Sequence, residues 1–314
     1  MSDTMASLNR QIKSASELQS VVRTMKALAA SSLVQYDRSV SALGDYYRTV
    51  ELGLGASLLK VEPREPTIEG RQDSSSGKIG AVVFGSDQGL VGRFNDEVAD
   101  FAIEKLTTLT GHPRVWAVGE RIHARLSDAG IEPIGLFAVP NSVAAITPLI
   151  GKIQIQSEIH RARGDYAQLY VFHNRPKTGA LYYPVSHRLL PLDQQWQDKL
   201  AKIPWPTKTL PEVMGVGAST LRALIREYLF ISLFRACAES LASENASRLA
   251  SMQRADHNIG ELLEQLQGSF HRMRQSNIDE ELFDVISGYE ALKNSKAPHT
   301  RDMSRDFSRV IPNC

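Results

Sequence analysis

Chemistry in this chain would have to start from a phosphate loop, a metal-ligand set, a nucleophile with its base, or a reactive thiol, and the sequence holds a fragment of each. "FGSDQGLVGRFN" (residues 84–95) places Gly85, Gly89 and Gly92 between a β-like run and a helix-like run, where a phosphate loop would open a nucleotide-binding unit. The spacing is not G-x-G-x-x-G. Gly77-Lys78 in "SSSGKIG" lacks both the upstream glycine and the following Ser or Thr that hold phosphate and magnesium. The 8 histidines form no H-x-x-x-H pair and have no cysteine nearby, so they read as surface or core side chains. Ser219 in "GASTL" has no nucleophile elbow around it and reads as the N-cap of the helix that follows. Cys237 and Cys314 are too few for a disulfide framework, which fits a reducing compartment. These residues assign no catalytic, cofactor-binding or metal-binding group.

The charge balance narrows the partners. Lys+Arg at 36 against Asp+Glu at 35 leaves a formal charge of +1, so no whole-chain field draws the protein to nucleic acid or to an anionic membrane. Hydrophobic content of 42% with 23% charged residues is ordinary for a soluble globular protein of one or two domains. No apolar run approaches the roughly 20 residues of a membrane span, and the N-terminus lacks the basic-then-apolar order of a signal peptide.

Periodicity supplies the elements. From Leu8 to Leu58 apolar or small residues recur at steps of three and four with no proline before Pro63, which predicts one very long helix. Its stripe is rich in small side chains, among them Ala27, Ala29, Ala30, Ser31 and Ser32. A second stretch of the same kind runs from Leu221 through Phe270, Met273, Leu282 and Val285 to Tyr289. Between them "KIGAVVFGSD", "RVWAVGE", "IEPIGLFAVP" and "YAQLYVFHNRP" read as strands, separated by helical spacing at 95–109, 120–129 and 142–162. That order predicts a mainly parallel sheet with helices on its faces. "LLPLDQQWQDKLAKIPWPTKTLPEVMG" carries no assigned element. The expected fold class is α/β: a long antiparallel coiled coil of the N- and C-terminal helices with an inserted Rossmann-like α/β domain. The expected divisions are residues 1–62 for the first helix, 63–77 for a linker and 78–210 for the α/β domain. Residues 211–292 form the second helix and 293–314 a flexible tail. Two helices of about 50 residues or more, some 75 Å long, must cover each other's stripe, and small side chains let their backbones approach closely.

"LNRQIKSASELQSVVRTMKALAASSL" (8–33) and "ESLASENASRLASMQRADHNIGELLEQLQGSFHRMRQSNIDEELFDVISGYEAL" (239–292) resemble the terminal helices of the gamma subunits of F-type ATP synthases. "FGSDQGLVGRFN" matches that family's first strand-loop-helix, so the resemblance covers all three parts of the chain. It implies a rotor axle inside a hexamer of alternating alpha and beta subunits, with the α/β domain meeting epsilon and the membrane c-ring. The hexamer, not this chain, would bind and turn over ATP, coupled to proton or sodium transport. The resemblance therefore implies no catalytic site, cofactor, metal or nucleic acid for the chain itself. Carried over by motif, Met25, Arg274 and Gln275 contact the hexamer, and Glu244, Arg248 and Glu281 lie in helix segments that tune coupling.

The departures from the family's pattern are local. The chain continues beyond "GYEAL" with "KNSKAPHTRDMSRDFSRVIPNC", Ser32-Leu33 replaces the usual Ser-Lys, and Arg93 stands where glycine is frequent. The acidic-proline motif near the ring is missing from "WPTKTLPEVMGVGAST". These features suggest the divergent alternate branch of F-type ATPases. The absence of a transit segment and of a chloroplast-type cysteine insertion points to the cytoplasmic side of a bacterial inner membrane, with the chain peripheral to it. The competing reading is a coiled-coil scaffold with an α/β head and no motor role.

Overall fold

Each long proline-free stretch forms a single helix. In the computed structural model, which describes residues 4–58, 78–109, 113–177, 180–192, 194–209 and 217–295, the chain begins with α1 (Met5–Leu58), β1 (Ile79–Phe84), α2 (Phe94–Thr108) and β2 (Arg114–Val118). It continues through α3 (Glu120–Asp128), β3 (Gly135–Phe137), α4 (Val143–Ala162), β4 (Gln168–Lys177), β5 (Ala180–Leu190), α5 (Gln194–Ala201) and α6 (Gly217–Ser295). Contacts divide the chain into a sheet unit, residues 20–257, and an end unit, residues 1–19 with 258–314. The linker expected at 63–77 lies outside the described residues, as does the tail from residue 296 onward.

The sheet unit holds five strands in the order β3-β2-β1-β4-β5, all parallel except for β5, which runs antiparallel to β4. Strand alternation sorts its side chains onto two faces. Ile79, Ala81 and Val83 pack with Val98, Ala102 and Leu106 of α2 and with Ile122 and Leu126 of α3. Val82 and Phe84 point the other way, into a core completed by Ile146, Ile150 and Ile153 of α4, Val50 and Leu54 of α1, and Leu233 and Leu241 of α6. Because both faces are covered, the central strand reads as an unbroken apolar run.

Three expectations need correction. β5 and α5 fall where no element was assigned. "ALYYPVSHRLL" mixes polar residues with a proline, which argues against a central strand, but an edge strand tolerates both, and β5 is an edge. Ser219 lies inside the first turn of α6 and is not its cap.

Within the sheet unit α1 and α6 run antiparallel: Arg23 pairs with Asp256, while Tyr46 Oη, later in α1, donates to Glu227 Oε1, earlier in α6, at 2.8 Å. The end unit repeats the arrangement. Leu8, Ile12, Ala15 and Gln19 are buried or half-buried at steps of four, three and four on α1, and Ile259, Leu263, Leu266, Phe270 and Met273 are half-buried at steps of four, three, four and three on α6. A Cβ placed on Gly260 would stand 3.8 Å from Gln19 Nε2, so those two residues face each other. Counting back from Gln19 and forward from Gly260 by the same number of residues brings Met5, where α1 begins, opposite Arg274. From Arg274 to Leu292 every residue of α6 is exposed.

Two glycines fit the first strand to its surroundings. A Cβ on Gly85 would lie 2.4 Å from the Ile122 Cβ, so the end of β1 reaches α3 only without a side chain. Gly119 has φ +117°, a left-handed conformation open to glycine, and a Cβ there would meet the Ser86 backbone at 2.8 Å. Gly119→Ala is therefore expected to destabilise the sheet unit by about 1–3 kcal/mol. Urea unfolding followed by tryptophan fluorescence checks this through a lowered midpoint.

Candidate functional site

Half of the residues of α6 from Glu239 to Met252 are Ala or Ser, and this stretch overlaps the most deeply buried run of either long helix, Ala236 to Asn245. Small side chains bring its backbone against the sheet. Ser243 Oγ stands 3.1 Å from the Asn174 carbonyl oxygen on β4, and Ser247 Oγ donates to the Val91 carbonyl in the loop after β1 at 2.5 Å. In open α/β sheets ligands bind beyond the carboxyl ends of the strands, where strand order reverses. Here the order reverses between β1 and β4, and α6 is hydrogen-bonded to β4 and to the loop that follows β1. The loop "SDQGLVGRFN" is tied by its own side chains. Asp87 accepts from the Glu120 and Val139 amides at 3.0 and 2.9 Å, and Asn95 Oδ1 accepts from the Ser86 amide at 3.0 Å. Its glycines thus serve a fastened β-to-α turn.

Glu244 and Arg248 come together one turn apart, with Arg248 Nη2 donating to Glu244 Oε1 at 2.7 Å. Burial pushes the Glu244 carboxyl above its ordinary range, against the pull of Arg248. The pair lines a cavity of about 210 Å³ with Ser32 and Tyr36 of α1 and with Asp87 and Asn141 from the loops beside the sheet. These two predicted coupling residues therefore stand where both long helices meet the sheet. Glu281, the third, lies exposed in the end unit.

Met25 is half-buried on α1, and its neighbours form a clamp that the sequence reading missed. Arg23 Nε and Lys26 Nζ reach the two oxygens of Asp256 at 3.1 and 2.6 Å. The hydrogen bond from Lys26, with that from Arg23, holds the Asp256 carboxyl below its ordinary value. No local pattern announces a pairing across more than two hundred residues; it follows only once the antiparallel register is known.

A second missed cluster surrounds Glu239. Its Oε2 accepts from His173 Nε2 and Arg175 Nε, and its Oε1 accepts from Arg235 Nε, each at 2.8 Å. Burial would raise the Glu239 carboxyl, but hydrogen bonds from His173 and Arg175 outweigh it and hold the group at about 2. Burial lowers His173 despite its bond to Glu239. His187 accepts from Arg175 Nη2 at 2.9 Å, and burial, with the facing guanidinium, lowers it to about 4.

Arg274 and Gln275 sit where α6 passes the start of α1, and beyond them Ile278, Leu282, Phe283, Val285, Ile286, Tyr289 and Leu292 are 49–73% exposed. This is not the stripe that faces α1. Residues on a helix turn about 100° each, so Ile278, five beyond Met273, and Leu282, nine beyond it, lie on another side. The stripe read as continuous through Met273, Leu282 and Val285 is two stripes.

Residues 4–292 match the ATP synthase family model. The chain is 29% identical over 308 residues to the ATP synthase gamma chain of Nitrosomonas eutropha, covering 91% of this chain and 98% of that one. It belongs to the ATP synthase gamma-chain family. The gamma chain of Moorella thermoacetica is 25% identical over 291 residues, covering 92% of this chain and 99% of the relative. Two chains of the Euglena gracilis mitochondrial ATP synthase share the fold, each at 14% identity. One, from the OSCP/F1/c-ring assembly in rotational state 3, has a TM-score of 0.60 over 97% of this chain and 99% of its own. The other, from the rotor in rotational state 1, has a TM-score of 0.59 over 87% of this chain and 98% of its own. As a gamma chain the protein is a noncatalytic subunit peripheral to a membrane complex, and no described helix is long and apolar enough to cross a membrane.

Buried His173 and the partly desolvated His187 give this junction a pH dependence. A histidine held neutral by folding contributes stability that is complete above its ordinary value of about 6.5 and is lost as pH falls toward its folded value. For His187 that window runs from about 6.5 down to about 4, and the loss attached to Glu239 begins as pH falls through the ordinary carboxylate range and continues down to about 2. The urea midpoint of the wild type is expected to fall between pH 7 and pH 4.5. His187→Gln, which keeps an acceptor for Arg175, should fall by less over the same interval.

Proposed function

We propose that this chain marks its angle inside an alpha–beta hexamer through a few defined contacts. The exposed apolar side of α6 from Ile278 to Leu292 seats in the hexamer, Arg274 and Gln275 make polar catch contacts at its inner end, and Met25 faces a moving lobe of a catalytic subunit. The protein is the central-stalk rotor subunit of an F-type ATP synthase. The observation that carries the contact reading is the switch of apolar side after Met273. An apolar side that is turned away from α1 and exposed over about four turns is a surface made for a partner.

The mechanism follows from the asymmetry. A rod that touches three alternating sites differently shifts each site's conformational equilibrium only by its difference in interaction free energy with that site's conformations. Rotation permutes those differences. Glu244, Arg248 and Glu281 tune the coupling, the first two from the cavity where both long helices meet the loops beside the sheet. We assign epsilon and the membrane c-ring to the α/β region, with α1 and α6 as the axle. The complex belongs on the cytoplasmic side of a bacterial inner membrane and moves protons or sodium.

Charged groups on the exposed side test this against the scaffold reading. Ile278→Asp with Leu282→Asp is expected to leave the circular dichroism and thermal unfolding of the isolated chain unchanged, because both side chains are open to solvent. The same variant should weaken copurification with the alpha–beta hexamer at least tenfold. Undiminished copurification and coupled ATP synthesis would remove the reading.

A further inference from the structure

The cluster around Glu239 has no part in the rotor reading, yet it encloses space. His173 and Arg175 of β4, His187 of β5, Arg235 and Glu239 of α6 and Tyr47 of α1 line a cavity of about 130 Å³ within the sheet unit. Among the described residues that line it, three are arginines, Arg188 at the rim being the third, and Glu239 is the sole carboxylate. Glu51 of α1 lies near Arg235 outside this lining.

The hydrogen bonds show how the positive charge is distributed. Glu239 is met by Arg175 and by Arg235 through their Nε atoms, so neither guanidinium engages it in the two-pronged way that would also occupy a terminal nitrogen. Arg175 instead turns Nη2 onto His187, a neutral acceptor that supplies no compensating charge. The terminal nitrogens of Arg235 are likewise not used by Glu239. Arg175 and Arg235 keep 28% and 39% of their side-chain surface accessible, so the cavity opens to solvent beside them. Its remaining lining adds hydroxyls from Tyr47, Tyr228 and Ser232 over an apolar floor of Val171, Leu189 and Ala236.

Size limits the occupant. At ~30 Å³ for each water in the liquid, the cavity equals about four waters, well under the ~300–1,000 Å³ of pockets that hold drug-sized ligands. A tetrahedral oxyanion is of this size, and any larger group attached to it would lie outside the cavity. We propose that this cavity is a binding site for a small oxyanion of the inorganic phosphate class, held by terminal N–H groups of Arg175 and Arg235. Such a ligand bridges the antiparallel edge of the sheet to α6 beside Tyr47 of α1, and so stiffens the attachment of the sheet to both long helices.

The test uses the isolated full chain, so it is independent of whether a hexamer binds. Thermal unfolding is followed while potassium phosphate is raised against potassium chloride at matched ionic strength, with ATP as a third arm. Phosphate should raise the transition temperature in a saturable way and chloride should not. Arg235→Gln should weaken the apparent affinity roughly tenfold or more, the loss of one charge-assisted hydrogen bond. In the wild type, phosphate should also move the His187 ring signals in NMR, a readout that needs no variant. A saturable response to ATP that Arg235→Gln abolishes identifies a nucleotide's terminal phosphate as the source. Equal effects of phosphate and chloride would overturn the proposal. So would a phosphate response that leaves the His187 signals unmoved or survives Arg235→Gln intact.

Discussion

A helix presents each residue about 100° from the last, so spacing alone decides which neighbour a given stretch can bury against. α6 obeys this constraint in three different ways. From Glu239 to Met252 every residue is buried or half-buried, and half of them are Ala or Ser, which lets neighbours close in on several sides. From Ile259 to Met273 steps of four and three leave one narrow stripe, enough for a single partner helix. From Ile278 the apolar residues move to another side, away from that stripe, and stay exposed.

The same constraint separates the two kinds of polar contact. Where α6 is enclosed, its carboxyl groups are paired: Glu239 is met by three donors, and Glu244 accepts from Arg248 beside the loops that follow the strands. Removing one partner from such a group leaves charge in a poor solvent, so these contacts hold the junction rigid. Asp256, clamped by Arg23 and Lys26, is more open, and an exposed pair contributes little to stability. Its effect is on register. By fixing α1 on both sides of Met25, it sets the direction in which that side chain faces.

Much of this was legible in the sequence because periodicity survives without a structure. The two helices, the parallel strands β1 to β4 and the antiparallel pairing all follow from spacing and from the absence of proline. β5 was hidden because Pro184 and its polar residues are forbidden only to central strands, and nothing local marks an edge. The Asp256 clamp and the Glu239 cluster were hidden for another reason: apart from Arg235, one turn before Glu239, their carboxylates meet partners 64 to 233 residues away in sequence, and a single sequence carries no sign of such meetings. Met25, Arg274, Gln275 and Glu281 were named through family resemblance. For Arg274 and Gln275 the spacing now adds a physical mark, because they fall at the change of apolar side.

Rotation itself tests the central claim most directly. With the hexamer immobilised and a bead attached to a cysteine introduced at Lys202 in the sheet unit, ATP should drive one-way rotation with three dwells per turn. ATP hydrolysis at a normal rate by hexamer that retains this chain, with the bead showing only Brownian motion, would contradict the account.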